Sequence, residues 1–181
     1  MKSKMVSGLL TCTLMMFALG CSQTPRNASA KEEVERALNQ SGLANIGVAE
    51  DRDKGVITLT GDVATQDDKD KAGGVAKSVA GSLVIANQIG VRPPGFASEA
   101  KKIDSSLDTA IEKTFEAVVV SRQLDKDVTY SAKNGVLTIK GNVNSQDLRS
   151  ELERLASSVP NVKEVVNELQ VKEQKATARG Q

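Results

Sequence analysis

General acid–base, nucleophilic and metal chemistry draw on a short list of side chains, and this chain of 181 residues has no histidine. The commonest general base and the commonest metal ligand are therefore missing. Carboxylates are plentiful, and Asp67 stands beside Asp68. A working acid and base, however, need a cleft that moves their pKa values apart, which units of about sixty residues rarely supply. Asp125 and Asp127 could face a hard cation, yet two carboxylates fall well short of the six or more oxygens calcium takes. Serines and lysines are common, but no Ser-x-x-Lys stands with the other elements a Ser-Lys hydrolase requires. The residues point away from an enzyme and imply no cofactor and no metal centre.

Two cysteines remain, Cys12 and Cys21. Lys2 and Lys4 precede an apolar run, Met5 to Leu19, that is shorter than the about 20 residues needed to cross a bilayer. Residues 1–20 read as a signal peptide. Its end, Ala18-Leu19-Gly20-Cys21-Ser22, resembles a bacterial lipobox. That resemblance implies lipidation of Cys21 as the first mature residue, with the serine after it directing the protein to the outer membrane, facing the periplasm. An uncleaved anchor and cleavage without lipid are the competing readings. With Cys12 removed and Cys21 acylated, the mature chain keeps no thiol for a disulfide or a zinc site. It carries 22 basic and 23 acidic residues once Lys2 and Lys4 are gone, a net charge of −1. Nucleic acid, which demands a clustered basic excess, is not an expected partner.

What must position any functional surface is a core almost without aromatics: one Tyr, three Phe and no Trp. The packing is therefore aliphatic, and it is written twice. GVITLTGDVATQD, Gly55 to Asp67, returns as GVLTIKGNVNSQD, Gly135 to Asp147, and the match at an offset of 80 runs without a gap from Gly55 to Val91, with twelve of 37 positions identical. Within the second copy, Leu137, Ile139 and Val143 alternate with polar residues as a half-buried strand does. Asn134-Gly135 ahead of them is a type I′ hairpin signal, which makes Asp127 to Ala132 the antiparallel partner. Ser145 offers an N-cap, and Leu148, Leu152, Leu155 and Val159 follow on one helix face. Val165, Leu169 and Val171 form a third strand, which a crossover places parallel to the second. A helix over Ile103 to Val120 precedes these elements, with Leu107, Ile111, Phe115 and Val118 in period.

The first copy shares the plan, with a shorter opening helix, Glu32 to Asn39, and strands at Ile46–Glu50, Val56–Val63 and Leu83–Val91. Gly73-Gly74 weakens its middle helix, which Thr65 and Asp68 cap. Gly61 and Gly141 are expected to close the second strands, and Asn87 and Asn167 to hydrogen-bond neighbouring backbone. The fold class is α+β: two tandem αββαβ units, each a three-stranded mixed sheet packed against two helices. The expected organisation is a tether at 21–30, a first domain at 31–92, a Pro-Pro-Gly linker at 93–100, a second domain at 101–172 and a polar tail at 173–181.

GVITLTGDV with IANQIGV, and GVLTIKGNV with VVNELQV, resemble the repeated phrases of tandem BON domains, and the resemblance covers Lys31 to Lys172. Together with the lipobox, the chain is similar to dual-BON envelope lipoproteins. The resemblance implies a non-enzymatic protein that binds phospholipid surfaces and supports envelope integrity or osmotic-stress tolerance. The alternative is a protein-interaction adaptor for another envelope or cell-wall component. The expected partners are thus the membrane, through the N-terminal lipid and an anionic phospholipid surface, or an envelope protein. Val119 and Val120 extend the apolar surface of the second domain's opening helix, and Lys113 and Arg122 lie near them. These four residues are the expected membrane or partner contact.

Overall fold

The computed structural model describes residues 29–124 and 127–172. The signal segment, Cys21, the tether through residue 28, Asp125 and the tail from residue 173 lie outside the described residues. Within them the order αββαβ occurs twice. The first unit comprises α1 (Ala30–Gln40), β1 (Gly47–Asp51), β2 (Val56–Thr60), β3 (Asp62–Val63), α2 (Gln66–Ala80), β4 (Val84–Asn87) and β5 (Gly90–Val91). The second comprises α3 (Ala97–Ser121), β6 (Val128–Lys133), β7 (Val136–Val143), α4 (Gln146–Ser157) and β8 (Glu164–Val171).

Local chemistry sets the element ends. Asn134 and Gly135 take φ values of 50° and 84°, the left-handed pair that a type I′ turn needs, and β6 pairs antiparallel with β7. The crossover through α4 returns β8 parallel to β7, as α2 returns β4 parallel to β2. Thr65 Oγ1 accepts from Asp68 N–H at 3.1 Å, and Ser145 Oγ from Leu148 N–H at 3.2 Å, so the two crossover helices start alike.

Each sheet has one face on its helices. Ile57 and Leu59 meet Val34, Leu38, Ala72 and Ala76 in the first core. Leu137 and Ile139 meet Ile111, Phe115, Leu152 and Leu155 in the second. Phe115 and Tyr130 add an edge-to-face contact with centroids 5.2 Å apart. The Asn of each last strand ties sheet to helix as expected: Asn87 Nδ2 donates to Lys69 O at 3.0 Å, and Asn167 Nδ2 to Arg149 O at 3.2 Å.

Expectations change at the opening helix of the second unit, at Gly141, and in the first unit's strands, where the expected Leu83–Val91 strand is interrupted after Asn87 and resumes at Gly90. The opening helix of the second unit starts at Ala97, inside the expected linker, because the chain turns over Pro93-Pro94-Gly95 with Phe96 N–H donating to Pro93 O and enters the helix at once. Gly141 does not end its strand. It lies within β7 at φ 132°, paired with Val128, where a Cβ would strike the carbonyl oxygen of Asp127. Only at Gly61, φ 116°, does the second strand break into β2 and β3.

The adjacent glycines of α2 should respond oppositely to substitution. A Cβ at Gly74 meets nothing within 4 Å, so Gly74→Ala should stabilise by up to about 1 kcal/mol. At Gly73 a Cβ would stand 2.8 Å from Asn87 Nδ2, the donor that joins β4 to α2, so Gly73→Ala should lower the melting temperature. Paired thermal melts check this, and two shifts of the same sign would contradict the packing described.

Candidate functional site

A sheet covered by helices on one side leaves the other side bare, and here the two bare faces cover each other. Val56 and Ala86 of the first sheet cluster with Val136 and Val166 of the second. These residues correspond across the repeat: Val56 with Val136, and Ala86 with Val166, at the offset of 80. The flanking contacts correspond too. Lys54 Nζ donates to Glu168 Oε2 at 2.7 Å on one side, and Asn134 Nδ2 donates to the carbonyl of Gln88 at 2.7 Å on the other. Positions 54 and 134 are equivalents, as are 88 and 168. The seam is therefore a pseudo-two-fold contact inside one chain, built on the self-complementary logic of an isologous dimer.

Charge at the seam is costly where it is unpaired. The hydrogen bond from Lys54 to Glu168, reinforced by Asp51, raises the Lys54 pKa. Lys69, only 7% exposed, is pushed the other way by burial and by the neighbouring Lys163. Burial raises the Glu164 pKa, against a hydrogen bond from Asn87 N–H and the attraction of Lys69 and Lys77. Arg92 pins the seam where the linker begins: its guanidinium pairs with Asp104 of α3 and Asp62 of β3 and donates to Asn134 Oδ1 in the β6–β7 turn.

That pin fixes α3, whose 25 residues span about 37 Å. In its second half Ile111, Phe115 and Val119 are buried in the second core. In its first half the inward face is polar: Asp104 meets Arg92, and the Asp108 carboxylate accepts from Asn134 N–H at 2.8 Å and Gly135 N–H at 3.0 Å. The large apolar residues of this half, Ile103 and Leu107, are 60% and 38% exposed, and Phe96, which caps the helix just before Ala97, is 67% exposed. Ser98, Lys101, Lys102, Ser105, Ser106 and Thr109 line another stretch of its surface.

The expected contact residues divide. Val119 is fully buried, the next member of the four-residue row Leu107, Ile111, Phe115, so it belongs to the core and not to a contact surface. Arg122 is held by Glu151 of α4 at 2.8 Å. Lys113 and Val120 are exposed and, seven residues apart, share a helix face. Val120 lies thirteen residues beyond Leu107, about 140° round the helix from it, so the two surfaces are separate. The exposure of Phe96 and Ile103 was not foreseen, because Phe96 follows the Pro-Pro-Gly break and Ile103 opened the expected helix outside its stripe. The spacing of Ile103, Leu107 and Ile111 at four residues was the available signal.

Glu164 offers a test of the seam's electrostatics. Its folded-state pKa is raised above the ordinary 4.5, so the folded protein holds this proton more tightly than the unfolded chain. Its contribution to stability is then greatest below the unfolded value and is lost as pH rises through the folded one. Glu164→Gln, still able to accept from Asn87 N–H, should flatten that slope and raise stability at neutral pH. Urea denaturation across mildly acidic to neutral pH measures both, and a less stable variant at neutral pH would show that the carboxylate charge is favourable there.

The family model for the BON domain matches residues 26–93 and 104–173. Osmotically-inducible protein Y of Escherichia coli (strain K12) is 28% identical over 143 residues, which cover 77% of this chain and 70% of that protein. Among solved structures, the C-terminal domain of CdsD, a structural protein of the type III secretion system of Chlamydia trachomatis, is matched at 13% identity with a TM-score of 0.35, over 78% of this chain and 96% of that one. With both repeats matched by one family model across most of its length, this chain belongs to the BON-domain family.

Proposed function

We propose that this chain is a non-enzymatic lipoprotein of the bacterial envelope, held by acyl chains on Cys21 at the periplasmic face of the outer membrane, and that it rests the first half of α3 on the phospholipid surface. The observation that carries this reading is the exposure of Ile103 and Leu107 on a helix whose inward face is already satisfied by polar contacts, with exposed Phe96 at the helix's N-cap. Amphipathic helices with lysines on the polar side lie in the membrane interface in this way. Lys101 and Lys102 add about 1 kcal/mol each for anionic headgroups near the surface. No helix among the described residues is long and apolar enough to cross a membrane, so α3 would lie on the bilayer and not span it. The similarity to an osmotically inducible protein supports a role in envelope integrity under osmotic stress.

Anchoring and surface contact are separable by mutation. At about 0.8 kcal/mol per buried CH₂, the two or three chains of a bacterial lipoprotein hold firmly where one binds marginally. Cys21→Ser should therefore lose the acyl mass and firm membrane fractionation; a variant unchanged in both would refute the anchor.

In that non-acylated background, Ile103→Ser with Leu107→Ser should leave circular dichroism unchanged and weaken binding to anionic vesicles at least ten-fold, since burying such side chains fully is worth about 1.5–3 kcal/mol each. Equal flotation of parent and variant with vesicles, or no flotation of the parent at low salt, would overturn the surface assignment.

A further inference from the structure

The seam is two-fold in its positions but not in its residues. Of its four pairs of equivalent positions one is identical, Val56 with Val136, and three differ: Lys54 with Asn134, Ala86 with Val166, and Gln88 with Glu168. A contact with two-fold positions admits three pairings, first face with second, first with first and second with second. The chain shows the unlike pairing, and there the differences complement one another. Lys54 Nζ stands 2.7 Å from Glu168 Oε2, a buried carboxylate, and small Ala86 shares the apolar cluster with larger Val166. All four residues of that cluster are buried, so the seam holds no spare volume.

Both like pairings lose that complementarity. Two second faces would set each Glu168 opposite a neutral Asn134, leaving the carboxylate only Lys140 of its own domain, at 3.4 Å. A buried charge that loses its partner is strongly unfavourable. The same pairing would put a second Val166 where Ala86 now lies, overfilling the cluster. Two first faces would set each Lys54 opposite Gln88, with Asp51 of its own domain, at 3.2 Å, as its remaining partner. They would also bring two alanines together and leave a void.

We infer that Lys54 with Glu168, and Ala86 with Val166, make this surface selective for an unlike partner: the first domain accepts the second domain, of its own chain or of a second copy of this chain, and rejects another first domain. Within one chain the linker holds the partner at an effective concentration on the order of millimolar, so the chain closes on itself. When charge blocks that closure, the same contacts are available by exchange, each first domain seated on the second domain of the other copy. Arg92 travels with the first face, since it belongs to the first domain and reaches Asp104 and Asn134 of the second, so exchange remakes the pin as well. The part that must open is the linker turn closed by Phe96 N–H on Pro93 O.

The non-acylated two-domain chain, Cys21→Ser, carries the test. Lys54→Glu sets an acid beside Glu168 and Asp51, and Glu168→Lys sets a base beside Lys54 and Lys140. Each variant alone, at low salt, should lose amide protection at Val56, Ala86, Val136 and Val166 and stay monomeric by light scattering. Mixed in equal amounts, the two meet opposite charge by exchange, because one seam then joins the two substituted faces and the other joins two native faces. A one-to-one heterodimer is expected, roughly ten-fold or more tighter than self-association of either variant. Both substitutions in one chain should restore a closed monomer, which shows that neither breaks the fold. Ala86→Val should lower the melting temperature, and adding Val166→Ala should recover most of the loss, since together they conserve the volume of the cluster. A mixture that stays monomeric, a single variant that dimerises with itself or keeps native protection, or a doubly charge-reversed chain that stays open would overturn the proposal, and additive losses at 86 and 166 would remove the part given to volume.

Discussion

The bare face of a three-stranded sheet is the constraint from which the arrangement of this chain follows. Val56, Ala86, Val136 and Val166 would lie in water on separate domains, and burying them requires the two units to meet face to face. Four small aliphatic side chains exclude water but do little to fix an angle, because apolar contact is non-directional. Orientation comes from the polar rim, where Lys54 meets Glu168, Asn134 meets Gln88, and Arg92 joins Asp62, Asp104 and Asn134. Arg92 immediately precedes Pro93-Pro94, so the residue that leaves the first domain also grips the second. Covalent and non-covalent connections act at one place, and this limits how far the domains can rotate about the linker.

Duplication supplied the symmetry of that seam, and divergence then gave the two halves different tasks. The second repeat has the larger core: Leu152 stands where the first has Ala72, and Leu148 where Asp68 caps α2. Arg149 of α4 also donates to the carbonyls of Asn167 and Leu169 in β8. In the first repeat the residue equivalent to that arginine, Lys69, serves the seam instead, as a buried lysine whose charge is disfavoured by its surroundings. Pairing the domains and bracing the last strand thus draw on the same helical position, and one side chain cannot do both.

Elements governed by neighbouring residues were legible in the sequence. The Asn134-Gly135 turn, the Thr65 and Ser145 caps and the strand–helix–strand crossovers all rest on contacts between residues close along the chain or on the handedness of the chain itself. The Asn87 and Asn167 ties were readable for a related reason, since a polar amide on a buried strand must find backbone nearby. The seam was not readable. Val56 and Val136 face away from the helices and look like ordinary members of an alternating strand, and nothing in a two-residue period says that another sheet will cover them. Gly141 misled for a similar reason: a glycine near a strand end suggests a turn, whereas here it answers to the close approach of the Asp127 carbonyl.

Of the expected contact residues Val119 alone is taken by the core, because α3 changes its inward chemistry along its length. Ile103, Leu107, Ile111, Phe115 and Val119 form one row at four-residue spacing, and such a row drifts about 40° round the helix with each step. A domain only one sheet wide cannot follow the whole drift. The later members enter the core, and the earlier ones rotate out past its edge as the helix extends toward the linker. Asp104 and Asp108 then occupy the inward side, where Arg92 and the β6–β7 turn need partners more than they need apolar cover. The turns of α3 that give Asp104 and Asp108 to the seam are therefore the same turns whose isoleucine and leucine face outward. Domain pairing and the exposure of the apolar row thus draw on the same turns of α3, and the first domain, through Arg92, takes part in setting which side of that helix faces outward.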